Sequence, residues 1–161
     1  MPAAKFDWFT FYALLGRVVT NWSLSDYAID QCIAALFKGY DPARFAEDVP
    51  RDTTQKIVFL RHILQTATAL EPFSEQGVRL LDRLEALSRH RALLTQGAAM
   101  KVGADAQTLQ FSRISIGEHG HERSAVILKV SDLDQLGVAM LDLATECAVF
   151  AHRLTQHLGR A

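Results

Sequence analysis

Cysteine is almost absent from this chain. Cys32 and Cys147 are the only two among 161 residues, too few for a disulfide framework or a thiolate zinc site. Each lies in an apolar helical stretch, so both read as reduced core residues. Neither sign of charge prevails: Lys and Arg number 17 against 18 Asp and Glu. That excludes the global positive field of a nucleic-acid-coating protein and leaves any RNA or DNA contact to a local patch. Long apolar runs are missing as well. None reaches the ~18 residues that a bilayer span requires, and the opening Met1-Pro2-Ala3-Ala4-Lys5-Phe6-Asp7-Trp8 lacks the layout of a signal peptide. The expectation is a cytoplasmic protein without a membrane segment. Also absent are a nucleophile elbow, a Walker loop, a dinucleotide fingerprint, zinc-binding cysteine pairs and a His-Glu-x-x-His helix, which argues against the commonest enzyme classes. No cofactor and no metal are expected.

What the chain does have is apolar content, 49% against 22% charged, enough for a packed core in one domain spanning 1–161. From Trp8 to Phe37 apolar residues recur at threes and fours, the helical period. This predicts one long helix or two in line, with Ser23 and Ser25 as interruption points and Gly39 as a left-handed cap. Asp41-Pro42 then reads as the start of a short helical turn. Ile57, Leu60, Ile63, Leu64, Ala67 and Leu70 mark a second helix that stops before Glu71-Pro72. Ser74 reads as the cap of a third, with Phe73 stapled to Val78, and its apolar stripe runs to Gly97. The small, polar connection from Gly97 to Ala106 reads as a mobile loop. From Thr108 the period falls to two on either side of Gly117-Glu118-His119-Gly120-His121, a β-hairpin. Ser131, with Asp134 behind it, opens a last helix. The fold class is therefore mainly α, an up-and-down four-helix bundle with a β-hairpin before the last helix.

The third helix ends in Arg89-His90-Arg91-Ala92-Leu93-Leu94-Thr95-Gln96-Gly97. This segment resembles the signature of the HEPN superfamily, in which an arginine is followed after a short spacer by a histidine and often a glycine; here Gln96 stands where the histidine would be. The first helix carries a weaker likeness, Leu14-Leu15-Gly16-Arg17-Val18-Val19-Thr20-Asn21-Trp22 followed by Asp26 where the family has an acidic residue. The resemblance implies a helical homodimer whose two motifs share one cleft, and metal-independent RNA cleavage there. That reaction needs a group titrating near neutrality to take the ribose 2′-hydroxyl proton and an arginine to neutralise the phosphate. Glutamine cannot transfer the proton, so no catalytic residue is expected. A protein binding RNA, a nucleotide or a protein partner is the first expectation, with Arg89, Arg91, Gln96, Asp26 and His90 as ligand-binding candidates. A metal-independent, toxin-like endoribonuclease working through His90 or an unconventional group is the second. A purely structural interaction module is the third, with the aromatic first helix as its surface.

Two registers fit the motif. Seven residues turn through about 700° of helix, which puts Arg89 and Gln96 on one face, whereas five turn through about 500° and carry Arg91 well around; unwinding before Gln96 would favour Arg91. Blander readings stand beside these. Arg79, Arg83, Arg89 and Arg91 interleave with Glu75, Asp82 and Glu85 as on a solvated face of i,i+4 ion pairs. Asp26 reads equally as a buried partner for an arginine of the third helix. Trp8, Phe9, Phe11, Tyr12 and Trp22 read as core or interface aromatics rather than a base-stacking platform. His119 and His121 read as solvated turn residues, and His152 and His157 as end-of-helix residues facing the dipole. Arg83 with His90 also satisfies an Arg-to-His count, without the following glycine.

Overall fold

The computed structural model describes residues 5–39, 49–103, 105–117 and 120–159; the expected turn at Asp41-Pro42 and His119 lie outside them. The first helix, α1 (Trp8–Gly39), is a single rod of 32 residues. Ser23 and Ser25 do not break it, because their hydroxyls donate to the Val19 and Asn21 carbonyls one turn back, at 3.0 and 3.3 Å. Asp7 caps its start, accepting from the Thr10 amide at 3.0 Å. Gly39 is not in a left-handed conformation. It is required for close approach instead, since a Cβ there would lie 2.9 Å from the Leu158 carbonyl oxygen.

Helix α2 (Thr53–Thr66) is capped by Asp52, which accepts from the Gln55 amide at 2.9 Å, while the Gln55 side chain accepts from the Arg51 amide at 3.0 Å. Its end departs from the sequence expectation. Ala67 is extended, Thr68–Leu70 forms one 3-10 turn, and α3 (Glu71–Gln96) begins before Ser74. Pro72 thus sits in the first turn of α3, where its missing N–H removes no intrahelical bond, and Leu70 occupies the cap position without a side-chain hydrogen bond. Ser74 is helical and caps nothing.

Half of the connection expected to be a mobile loop is a strand. β1 (Ala98–Val102), β2 (Thr108–Gly117) and β3 (Gly120–Lys129) form one antiparallel sheet in that order. Met100 is an extra residue in β1, a bulge between the Ala99–Phe111 and Lys101–Gln110 pairs. Asp105 closes the β1–β2 turn, accepting from the Gln107 and Thr108 amides and the Thr108 hydroxyl. These bonds, the Gln107 amide's first, hold its carboxyl below the usual range. Composition hid β1 because small residues such as Ala98 and Ala99 carry no alternating pattern; the pairing with β2 makes it a strand. Helix α4 (Val130–Leu158) is capped two residues earlier than expected, at Lys129 rather than Ser131, and Asp132 rather than Asp134 completes the cap, accepting from the Lys129 amide at 3.0 Å.

Contacts between elements set the directions. Arg17 pairs with Asp134, the Asn21 side chain donates to the Gly137 carbonyl at 3.0 Å, and Gly39 abuts Leu158, so α1 and α4 run parallel along their most extensive contact. Leu64 against Gly77, and Arg61 against Asp82 and Glu85, make α2 and α3 antiparallel. Arg83 with Glu146 and Gln76 with Arg153 make α3 and α4 antiparallel. α1 and α2 run in the same sense, as Thr53 lies by Asp26 and Phe59 stacks on Phe37 at 5.9 Å. The result is the expected mainly α bundle with a hairpin before the last helix, its strict alternation confined to α2, α3 and α4. Leu36, Leu60, Ile63, Leu84, Met140, Leu143 and Leu154 fill the core, and the sheet packs on the N-terminal part of α1 through Phe11 and Phe111, 6.0 Å apart. No helix among the described residues is long and apolar enough to cross a membrane.

Two predictions test this packing. A Cβ at Gly77 would meet Leu64 at 2.6 Å and Phe150 at 2.9 Å, both buried. Gly77→Val should therefore lower unfolding free energy by ~1–3 kcal/mol, the usual penalty for overpacking, measured by urea denaturation. Cys32 and Cys147 are free and buried, as expected. Burial pushes their thiols up from an ordinary 9.0 to about 12 and about 11. Because the folded values exceed the unfolded one, this contribution to stability is complete below pH 9.0 and is lost as pH rises towards about 11, where only the unfolded chain releases the protons. Unfolding free energy should fall across that window, and a Cys32→Ala, Cys147→Ala double variant should show a shallower fall.

Candidate functional site at the end of the third helix

Leu80, Leu84, Leu87 and Leu94 lie on one stripe of α3, Leu80, Leu84 and Leu94 buried and Leu87 partly so. Arg91 stands on the same stripe, three residues before Leu94. Its aliphatic stem extends the apolar row, it is half-buried, and its guanidinium carbon lies 5.9 Å from the ring centroid of Trp22 on α1. Trp22 is itself buried, so the cation covers an aromatic face at the bundle's margin, worth ~0.5–1 kcal/mol or somewhat more where desolvated. Arg89 and His90 are exposed. α3 stays helical to Gln96, where the Gly97 amide donates to the Leu93 carbonyl at 2.8 Å. The condition that would have favoured Arg91 in the motif register, unwinding before Gln96, is thus absent. Arg89 and Gln96, about two turns apart, share an outer face, and Arg91 points inward.

The arginines of α3 divide sharply by their partners. Arg79 pairs with Glu75 at 2.9 Å, the expected i,i+4 arrangement. Arg83 reaches across to Glu146 of α4 at 2.7 Å, which ties down the arginine of the alternative Arg83–His90 motif. Asp82 and Glu85 both turn to Arg61 of α2, at 2.7 and 3.0 Å. Those bonds, Glu85's first, raise the Arg61 pKa. With Asp82 and Glu85 claimed by a neighbouring helix, the stretch before the last turn has cations to spare: among the described residues neither Arg89 nor Arg91 has an acidic partner.

Asp26 is not brought to an arginine of α3. It accepts from Lys56 of α2 at 3.2 Å and from the Thr53 hydroxyl at 3.4 Å, and Asp30 pairs with the same ammonium at 2.7 Å. Burial of the Lys56 stem works against its charge, and the hydrogen bonds and fields of Asp30 and Asp26 outweigh it, so the pKa rises. The sequence reading missed Lys56 because it stands fourth in α2 among polar neighbours. Only the packing of α2 on α1 places it between two carboxylates. It also missed Arg123, whose guanidinium donates to the buried Ser112 hydroxyl at 2.9 Å. Ser112 is paired with Ala98 immediately after Gly97, so the hairpin register brings Arg123 to the part of the sheet that follows the end of α3.

The remaining candidates separate. Phe11 and Trp22 are buried, whereas Trp8, Phe9 and Tyr12 are exposed. His121 is exposed on β3, and no group of His, Cys, Asp and Glu suited to a metal occurs among the described residues. His157 does more than face a helix dipole: its ring packs on Phe73 at 5.1 Å and a ring nitrogen lies 3.1 Å from the Ala69 carbonyl oxygen. Chemically, the end of α3 offers guanidinium donors, an exposed imidazole and a neutral amide, a set that binds anions and hydrogen-bonding edges. Comparison with protein-family models, curated proteins and solved structures finds no match, so the likeness to HEPN domains rests on the motif residues themselves.

The Lys56 cluster reads as structural, and this can be measured. Asp26→Asn with Asp30→Asn leaves the largely buried ammonium without a counter-charge and should cost ~1–3 kcal/mol. Lys56→Met removes the charge together with its demand for partners and should cost less. Chemical denaturation of the two variants would show the asymmetry; equal losses would contradict it.

Proposed function

We propose that this chain is a non-catalytic, HEPN-like helical protein that binds a phosphate-bearing ligand, RNA being the class that the motif resemblance implies, at the end of α3. The observation that carries the reading is the partner pattern of α3: Arg79 and Arg83 are neutralised by carboxylates, while Arg89 and Arg91 at the motif are not. Arg89 and His90 supply exposed contacts, Arg123 a further cation from the sheet, and Gln96 a neutral amide on the face of Arg89. Arg91 contributes field from a fixed position over Trp22. The arrangement holds no histidine in the place of Gln96, and general acid–base help is typically worth ~10²–10⁴-fold, so the ligand is held rather than cleaved.

Fluorescence anisotropy with a labelled single-stranded RNA tests this. Binding should weaken as salt rises, and Arg89→Ala and Arg123→Ala should each flatten the slope of log K against log salt by ~0.7, the loss of one phosphate contact. No cyclic-phosphate ends should form from about pH 5 to about pH 9, the range over which an imidazole changes its charge. Cleavage abolished by His90→Ala would replace this reading with the ribonuclease one. RNA affinity indifferent to both arginines would remove it.

A further inference from the structure

We propose that the free edge of β3 takes up an extended, acidic segment of another protein as a fourth strand of the sheet. β3 is an outer strand, and its residues from Gly120 to Ile127 are all exposed. Ile127, at 70%, and Val126, at 40%, are apolar and unshielded there. Strand edges are ordinarily defended by a bulge, a proline or short length. The opposite edge follows that rule, since β1 has five residues and a bulge at Met100. β3 does not: it has ten residues, no proline, and pairs with β2 without a break.

The ladder fixes which backbone groups are open. The Val130 amide donates to the Gln107 carbonyl at 2.9 Å, one step along the register from the Thr108–Lys129 pair. Antiparallel pairs alternate between bonded and non-bonded, so the even-numbered residues of β3 bond β2 and the odd-numbered ones point their N–H and C=O outward. The Lys129 amide conforms, since it donates away from β2, to Asp132. That leaves His121, Arg123, Ala125 and Ile127, none of whose amides has a partner among the described residues. Donor and acceptor repeat along this edge every ~6.8 Å. The alternation is that of another peptide backbone, whereas phosphates would meet the carbonyls as acceptor against acceptor.

Charge selects the segment. The odd-numbered residues also share one face, so His121, Arg123 and Lys129 stand together on it and Glu122 stands on the other. Asp132 lies by Lys129, which centres the open charge on Arg123. Its Nε donates to the Ser112 hydroxyl at 2.9 Å; this fixes the guanidinium and leaves both Nη groups for a carboxylate. Among the described residues no acid of β2 or β3 lies on that face. A second copy of the chain cannot supply one. Outward residues must meet outward residues, so every antiparallel self-pairing keeps Glu122 off the Arg123 face, and with Ala125 opposite Ala125, His121 meets Lys129. The partner strand has to bring its own carboxylates. Arg123 also serves the RNA reading, whereas Ala125 and Ile127 do not, and these separate the two.

A capped, fluorescein-labelled nonapeptide alternating Glu and Val, added to the intact chain and followed by fluorescence anisotropy, tests this. It should bind, and the same peptide with Lys for Glu should bind about ten-fold more weakly or worse. Ala125→Pro removes an outward amide and no ladder bond. It should weaken peptide binding about ten-fold or more and leave circular dichroism and RNA affinity unchanged. Arg89→Ala should leave peptide affinity as it is, so this reading and the RNA one fail separately. A measurement on the wild-type chain does not depend on the variant's folding. Hydrogen exchange at the Arg123, Ala125 and Ile127 amides, read by NMR, should slow when the peptide is added, and at Ser124 and Val126, already bonded to β2, it should not change. No binding, equal binding of the Lys peptide, protection away from β3, or those three amides already protected in a dimer of the chain alone would each overturn the proposal.

Discussion

The parallel packing of α1 on α4 is the constraint from which the rest of the molecule follows. Two helices can run side by side in the same sense only if the chain between them returns to its starting end, and here α3 makes the return. α3 is shorter than α1 and stops near Trp22, so the first turns of α1 have no helical neighbour on that side. The sheet covers them, with Phe111 on Phe11, and delivers Lys129 to the start of α4. The hairpin is therefore a structural lid on the part of α1 that α3 does not reach. The closeness of the two long helices is set where side chains are smallest: Gly39 faces Leu158, and Gly137 faces the Arg17 side chain.

Ion pairs do the complementary work of registering helices. Arg17–Asp134, Lys56 with Asp26 and Asp30, Arg61 with Asp82 and Glu85, and Arg83–Glu146 each join two different helices. Most are part-exposed and individually worth little, yet their placement decides which charges remain for other uses. Once Arg61 has taken the carboxylates of Asp82 and Glu85, the arginines that follow on α3 have none within a turn. For Arg89 this is a consequence of how α2 packs, since Glu85 stands four residues before it; Arg91 has no acid three or four residues away in the sequence itself.

The element types were legible because burial on one side imposes a period. Helical recurrence through α1, α3 and α4 and alternation through β2 and β3 both survive in the order of residues. Boundaries were less so. Pro72 permits either a stop before it or a start around it, and the kink at Ala67 rather than the proline decides. β1 was invisible because alanines alternate with nothing. At the candidate site, the motif and the shared face of Arg89 and Gln96 follow from helical geometry alone. The inward turn of Arg91 is also readable in its membership of the row Leu80, Leu84, Leu87, Arg91, Leu94.

By itself, the order of amino acids determined that four amphipathic helices and a hairpin would form, that two thiols would be buried, and that the third helix would end in adjacent cations before a glycine. These are local matters, governed by a side chain's polarity and its place in a repeating backbone. Only the tertiary structure decided that Asp26 belongs to Lys56, that Arg123 of the hairpin bonds Ser112 beside the start of β1, and that α1 and α4 lie parallel. Each depends on which surfaces meet across long separations in the chain. A helix presents the same stripe whichever neighbour covers it, so its sequence does not name that neighbour.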